Sequence, residues 1–131
     1  LIQPACLWES SNVNLYSLTA VGFGATASGR EMSNDLLKVE LNVVSKWKCK
    51  EQFSFVASTQ MCAGGTAGRD ICQGDSGGPL SYKAHSYDNA GGKCLHYIVG
   101  VSSFTSKYCG TGYPSGYTRV SSYIDWINQF I

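Results

Sequence analysis

The chain has 131 residues, of which 44% are hydrophobic and 15% are charged, and its formal net charge is +1. This composition indicates one folded domain with a single core rather than a disordered chain. The near-neutral charge gives no reason to expect nucleic acid as a partner, and no apolar run is long enough to cross a membrane.

Fifteen glycines between short apolar stretches predict an all-β domain with many turns. The predicted strands fall at residues 16–21, 38–43, 97–102 and 117–120. In the second of these, Val39, Leu41 and Val43 alternate with polar residues, which is typical of a half-buried strand. Residues 22–29 are predicted to form a loop, and residues 81–93 a polar surface hairpin or loop.

The chain is predicted to end in an amphipathic helix over residues 121–130. The apolar residues that recur at helical spacing are Val120, Tyr123, Ile124, Ile127, Phe130 and Ile131. We expect this helix to act as a structural clasp that packs its apolar face on the strands.

Six cysteines are spread along the chain without a C-x-x-C pair: Cys6, Cys49, Cys62, Cys72, Cys94 and Cys109. Zinc sites usually bring their ligands in close pairs, and only His85 and His96 could join these cysteines. Disulfides in an oxidising, extracellular compartment are therefore favoured over a metal site, and no cofactor is expected.

Residues 72–80 read Cys-Gln-Gly-Asp-Ser-Gly-Gly-Pro-Leu and are the most informative segment. Glycines allow positive φ and close approach of a substrate to Ser76, and successive backbone N–H groups in such a turn can bind an anion. Acyl transfer needs this combination of a hydroxyl nucleophile and donors for a developing oxyanion. The plainer alternative is that Gly-Asp-Ser-Gly is only a turn.

The same residues also fit the G-x-S-x-G elbow of α/β-hydrolases, since Asp88 and His96 follow Ser76 in that family's order. An elbow requires a strand before the serine and a helix after it. Here a glycine-rich loop precedes and Pro79 follows, without βαβ alternation, so this interpretation is disfavoured. His96 is then a strand residue that faces a surface.

The full nine-residue string closely resembles the nucleophile loop of chymotrypsin-like serine proteases. Other segments resemble parts of that family in the correct order: the interdomain linker at 3–7, the Gly-Trp-Gly turn at 21–24 with Phe in place of Trp, and the segments at 61–65, 99–104 and 117–127. Six ordered matches argue against chance. The chain is similar to secreted clip-domain or digestive-type proteases of arthropods.

The resemblance implies the second six-stranded antiparallel β-barrel of a double-barrel protease, closed by a C-terminal α-helix. Residues 1–13 would be the linker and residues 14–131 the barrel with its helix. In this family the histidine and aspartate of the catalytic triad lie in the first barrel. The missing amino-terminal half would therefore be an obligatory partner, and this chain alone is expected to be inactive.

The resemblance also implies roles for individual residues. Ser76 is the nucleophile, and the N–H groups of Gly74 and Ser76 form the oxyanion hole. Asp75 is an activation switch that receives a new amino terminus, because an unpaired buried carboxylate is costly. Residues 103–105 would pair with substrate backbone as an added strand. Substrate contacts are expected from Asp70, Ile71, Gln73, Ser103, Phe104, Thr105 and Ser115.

Asp70 occupies the floor of the primary specificity pocket in this resemblance, where an acid selects Arg or Lys. The alternative is an ordinary loop aspartate that pairs with Arg69. Ile71, Thr105 and Ser115 depart from the trypsin-like pattern and should narrow the pocket. The sequence leaves open whether the charge or the narrowing dominates.

Two disulfides follow from the resemblance, Cys49–Cys62 and Cys72–Cys109. For the remaining cysteines we expect a Cys6–Cys94 bridge, the alternative being that Cys6 holds the missing segment.

The predicted function is a trypsin-like endopeptidase that acts on protein or peptide substrates and can meet protein protease inhibitors. The alternatives are a non-catalytic protease homologue that binds or regulates partners, and a fragment without independent function.

Overall fold

The computed structural model describes residues 2–13, 17–84 and 95–131. Eight strands lie within these residues: β1 (Cys6–Leu7), β2 (Leu18–Gly22), β3 (Leu37–Leu41), β4 (Val43–Val44), β5 (Gln60–Gly64), β6 (Pro79–Lys83), β7 (His96–Phe104) and β8 (Pro114–Arg119). Helix α1 (Lys46–Gln52) follows β4, and a 3₁₀ turn (Val120–Tyr123) leads into α2 (Ile124–Ile127) after β8.

The strands form one sheet in the order β3-β2-β6-β7-β8-β5-β4, with antiparallel neighbours throughout and β1 added to β7 in parallel. The end strands β3 and β4 are separated in the chain by Asn42 alone, whose carbonyl accepts the Gly64 N–H at 2.8 Å. The two edges of the sheet therefore meet, and the sheet curls into a barrel. The predicted antiparallel barrel is confirmed: β3 and β4 act as one bent strand and complete six.

The barrel encloses an apolar core. Its largest fully buried side chains include Leu18, Leu80, Val99 and Tyr117. Burial of each aliphatic side chain contributes about 1.5–3 kcal/mol to folding. The alternation predicted for the second strand is present, since Leu41 is buried while its polar neighbours are exposed.

The structure differs from the sequence predictions at the end of β6 and in one helix. Residues 81–83 belong to β6 rather than to the predicted loop, and residues 85–93 lie outside the described residues. Helix α1 was not predicted. It begins after Ser45, whose hydroxyl accepts the Lys48 N–H at 3.2 Å, and it buries Cys49.

The closing helix is shorter than the predicted residues 121–130. Val120 is buried and Ile124 and Ile127 are half-buried, but Phe130 and Ile131 are 70% and 86% exposed. The prediction of one apolar face over the whole segment was wrong because regular α-helix ends at Ile127, and later residues no longer follow its spacing. No helix in the described parts of the chain is long and apolar enough to span a membrane.

Candidate active site

Ser76 lies in the loop that joins β5 to β6, and β6 begins three residues later at Pro79. A strand, not a helix, follows the serine, so the α/β-hydrolase interpretation was wrong. His96 is exposed at the start of β7, about 20 Å along that strand from Ser102, where the loop docks. The other residue of that interpretation, Asp88, lies outside the described residues.

Two backbone hydrogen bonds fix the loop to β7. The Gly77 N–H donates to the Ser102 carbonyl at 2.8 Å, and the Ser102 N–H donates to the Gly78 carbonyl at 2.9 Å. Gly74 has φ +95° and Gly77 has φ +83°, a conformation that favours glycine. Ser76 is exposed between them, and within the described residues the N–H groups of Gly74 and Ser76 have no acceptor. Both are therefore free to donate to a ligand.

The Asp75 carboxylate accepts two backbone hydrogen bonds. Its Oδ1 accepts the Gly24 N–H at 2.9 Å, and its Oδ2 accepts the Cys72 N–H at 2.9 Å. A Cβ on Gly22 would overlap this carboxylate, and one on Gly24 would lie 2.5 Å from it. The resemblance identified residues 21–24 only as a turn. In the structure its two glycines make room for Asp75, a role that the sequence pattern did not reveal.

A cavity of about 360 Å³ lies beside Asp75. Asp70 and Asp75 both line it, together with residues from the 20–27, 37–39, 68–72 and 109–110 segments. The cavity therefore borders both carboxylates.

The Asp70 carboxylate is enclosed by four donors. Its Oδ1 accepts the Ser115 hydroxyl at 2.5 Å and the Ile71 N–H at 2.8 Å. Its Oδ2 accepts the Gly110 N–H at 3.0 Å and the Thr105 hydroxyl at 3.3 Å. The structure thus brings together Asp70, Thr105 and Ser115, as the resemblance implied, and adds the Gly110 amide, which the sequence did not indicate.

The structure also shows where Arg69 and Ile71 stand relative to Asp70. Among the described residues Asp70 forms no ion pair with Arg69, since its partners are hydroxyl and amide groups. Ile71 is 4% exposed and packs in the core with residues such as Met61. Its amide donates to Asp70, and Ile71 is also among the residues that line the cavity.

The rim of the site is aromatic and apolar. The Phe104 ring packs edge-on against Phe53, with ring centroids 4.8 Å apart, and covers Gly116 so closely that a Cβ there would overlap it. Gln73 and Ser103 are exposed. Met32, which sequence reasoning missed, places its side chain beside Gly74, where an added Cβ would lie 2.9 Å from its Cε.

Both disulfides that the resemblance implied are present. Cys49–Cys62 has a Cα–Cα distance of 6.1 Å, and Cys72–Cys109 has one of 5.4 Å. These four cysteines are thus not metal ligands. Cys6 is also disulfide-bonded, but its expected partner Cys94 lies outside the described residues.

Disulfide Cys72–Cys109 ties the nucleophile loop to the loop that supplies Gly110. The Cys109 N–H also donates to the Ser28 hydroxyl at 2.8 Å. Residues from three loops are therefore linked around the cavity.

Comparisons with known proteins agree with this geometry. A family model described as Trypsin matches residues 1–127. Serine protease snk of Drosophila melanogaster is 36% identical over 98% of this chain and 30% of its own length. CLIP domain-containing serine protease HP8 of Bombyx mori is 37% identical over 96% of this chain and 35% of its own. The solved structure of neuropsin, a serine protease expressed in the limbic system of mouse brain, superposes with a TM-score of 0.80 at 27% identity, over 98% of this chain and 53% of that one.

The chain spans about a third of the length of the curated relatives named above. The family match extends over nearly all of the sequence, and the antiparallel barrel has the architecture of a solved serine protease. The chain belongs to the trypsin family of serine proteases.

Proposed function

We propose that this chain is the nucleophile-bearing half of a secreted trypsin-like serine endopeptidase. The observation that carries the proposal is the exposed Ser76, flanked by the free N–H groups of Gly74 and of Ser76 itself in a loop fixed to β7. A hydroxyl nucleophile beside unpaired backbone donors is the arrangement that peptide-bond hydrolysis through an acyl-enzyme requires.

In the proposed reaction, Ser76 Oγ attacks the carbonyl carbon of the scissile bond and transfers its proton to a histidine. The N–H groups of Gly74 and Ser76 donate to the oxygen that becomes negatively charged in the tetrahedral intermediate. The histidine then protonates the leaving amine. Water hydrolyses the resulting ester in a second round of the same steps.

The base and its orienting carboxylate are proposed to come from a first barrel outside residues 1–131. His96 is unsuited to the role because it lies about 20 Å along β7 from the nucleophile loop. The match to only about half of the neuropsin chain supports a second half of similar size.

Asp75 is proposed to switch the site on. Two backbone amides hold its carboxylate at the edge of a cavity of about 360 Å³, which is large enough to receive a few residues of chain. A new amino terminus entering this cavity would supply the cation that a partly buried carboxylate favours. Because Asp75 is adjacent to both oxyanion donors, its pairing would fix their orientation.

Asp70 is proposed to direct cleavage to bonds that follow Arg or Lys, since a partly buried carboxylate attracts a cationic side chain. The substrates are proteins or peptides, and protein protease inhibitors are further expected partners. The two described disulfides support an extracellular location, where the compartment is oxidising.

A fluorophosphonate probe, which reacts with activated serines, tests the proposal. The complete, activated two-barrel protein should be labelled at Ser76, and Ser76→Ala should abolish labelling and lower kcat roughly 10⁶-fold. Replacing the first-barrel histidine by alanine should suppress labelling in the same way, and residues 1–131 alone should not be labelled.

Failure of the complete, activated protein to label would contradict the proposal and favour a non-catalytic homologue that binds or regulates partners. Labelling that survives loss of the first-barrel histidine would show that another base activates Ser76. Circular dichroism of each variant establishes that a loss of labelling is not a loss of fold.

A further inference from the structure

The donors around Asp70 occupy the whole carboxylate. An ionised carboxylate offers about four lone-pair positions, and four groups approach this one: the Ile71 and Gly110 amides and the Thr105 and Ser115 hydroxyls. An Arg side chain binds a carboxylate best through two parallel hydrogen bonds, one to each oxygen. Here both oxygens are already engaged by the chain itself.

The hydroxyl protons can be assigned from the distances. Ser115 Oγ lies 2.5 Å from Asp70 Oδ1 and 2.8 Å from Thr105 Oγ1. Each hydroxyl has one proton, so Ser115 donates to Asp70 Oδ1 and Thr105 donates to Asp70 Oδ2 at 3.3 Å. The oxygen lone pairs of both hydroxyls stay available, and they surround the carboxylate with acceptors.

Two more acceptors lie on the same interior face of the barrel. Ser115 and Tyr117 alternate along β8 and so share a face, and Ser102 of β7 is the direct cross-strand partner of Tyr117. Ser102 is 4% exposed and Tyr117 is fully buried. Neither hydroxyl oxygen has a hydrogen-bond partner among the described residues.

Unpartnered buried hydroxyls are uncommon and call for an explanation. Burial, together with the nearby charges of Asp70 and Asp75, raises the pKa of Tyr117 well above its usual value of about 10. The hydroxyl therefore stays protonated, and its oxygen can accept a hydrogen bond from a ligand that carries several donors.

We propose that the hydroxyl groups of Ser102, Thr105, Ser115 and Tyr117 make this primary specificity pocket selective for Lys over Arg. The inference rests on the proposed function and refines its substrate class. An ammonium is a compact charge with three donors and needs no bidentate contact. It can approach Asp70 through hydroxyl oxygens, whereas a guanidinium must first displace the donors already bound to both carboxylate oxygens.

Hydrolysis of two peptides that differ only by Lys or Arg before the scissile bond tests this selectivity in the complete, activated protein. The kcat/KM for the Lys peptide should exceed that for the Arg peptide about tenfold or more, the worth of one hydrogen bond to a charged group. Ser115→Ala frees one position on Asp70 Oδ1 and should shift the ratio about tenfold towards Arg.

Ser106→Ala is the matched control. Ser106 is also a buried serine, but its hydroxyl donates to the Tyr108 carbonyl at 2.6 Å and does not contact Asp70. It should leave the Lys-to-Arg ratio unchanged. Tyr117→Phe removes an unpartnered hydroxyl and should raise KM for the Lys peptide without affecting the Arg peptide.

Arg preferred over Lys, or equal use of both, would overturn the inference while leaving the proposed endopeptidase intact. Ser76 labelled by a fluorophosphonate in a protein that cleaves after neither residue would overturn both the inference and the basic preference. An unlabelled protein would instead contradict the proposed function itself. Thermal unfolding of each variant shows whether a changed ratio accompanies a changed fold.

Discussion

Asp70 and Asp75 lie five residues apart in one loop, yet their surroundings differ. Asp70 is bound by two backbone amides and two side-chain hydroxyls, so that its carboxylate is saturated. Among the residues that the structure describes, Asp75 is bound by two backbone amides alone. Both carboxylates border the same cavity, but only Asp75 keeps lone pairs for an incoming group.

The difference shows how one residue type acquires two functions from its neighbours. Where hydroxyl groups occupy the remaining lone-pair positions of a carboxylate, they determine which ligands the carboxylate can bind. Where two amides occupy only half of the lone-pair positions, they hold the carboxylate in place, and an incoming cation can still neutralise its charge. On this account Asp70 controls selectivity, and Asp75 controls whether the site is active.

The largest difference between the two carboxylates should appear when each is neutralised. Asp75→Asn should lower hydrolysis of every substrate at least about a hundredfold, because removing one partner of a buried ion pair costs roughly 3 kcal/mol or more. Fluorophosphonate labelling of Ser76 should fall with it, since the amides of Gly74 and Ser76 lose their fixed orientation. Labelling rates and kcat/KM of the activated protein measure both effects.

Asp70→Ser is the contrasting variant. It should remove the preference for basic residues but preserve fluorophosphonate labelling, because the probe has no cationic group to place beside Asp70. Equal loss of labelling in both variants would mean that the two carboxylates share one role. Unchanged labelling in Asp75→Asn would contradict the switch.

A smaller effect is expected in the turn that accommodates Asp75. Gly24→Ala places a Cβ about 2.5 Å from the carboxylate and should destabilise the fold by about 1–3 kcal/mol, the usual range for overpacking. Chemical denaturation of the otherwise unaltered protein measures this change in the free energy of unfolding.

The same substitution in an Asp75→Ala background serves as the control, because the atoms that clash are then absent. The added destabilisation should largely vanish there, which gives a coupling energy in the double-mutant cycle. Equal destabilisation in both backgrounds would show that Gly24 is required for a reason other than Asp75.

Alternating apolar residues such as Val39 and Leu41 were sufficient to predict strands, because half-burial imposes a period of two. The sequence did not predict helix α1 because the helix is short and buries one residue, Cys49, which gives no helical periodicity. The disulfide from Cys49 to Cys62 holds the helix in place instead. The final helix was predicted to be too long because apolar residues continue at helical spacing past Ile127, where the α-helix ends.

Within the site, the resemblance was sufficient to predict that Asp70, Thr105 and Ser115 lie close together. It did not reveal the Gly110 amide or the Met32 side chain, because backbone donors carry no sequence signal and Met32 reaches Gly74 from another loop. Ile71 was assigned to the pocket from its position, and in the structure it both packs in the core and lines the cavity beside Asp70.

Acylation of Ser76 by an aryl ester of lysine tests the central claim most directly. The complete, activated protein should release one equivalent of the aryl alcohol in a burst, and mass spectrometry should find the lysyl group on Ser76, with the burst lost in Asp70→Ser. Acylation of another residue, or no burst in a protein whose fold is intact, would contradict the assignment of Ser76 as the nucleophile of a trypsin-like endopeptidase.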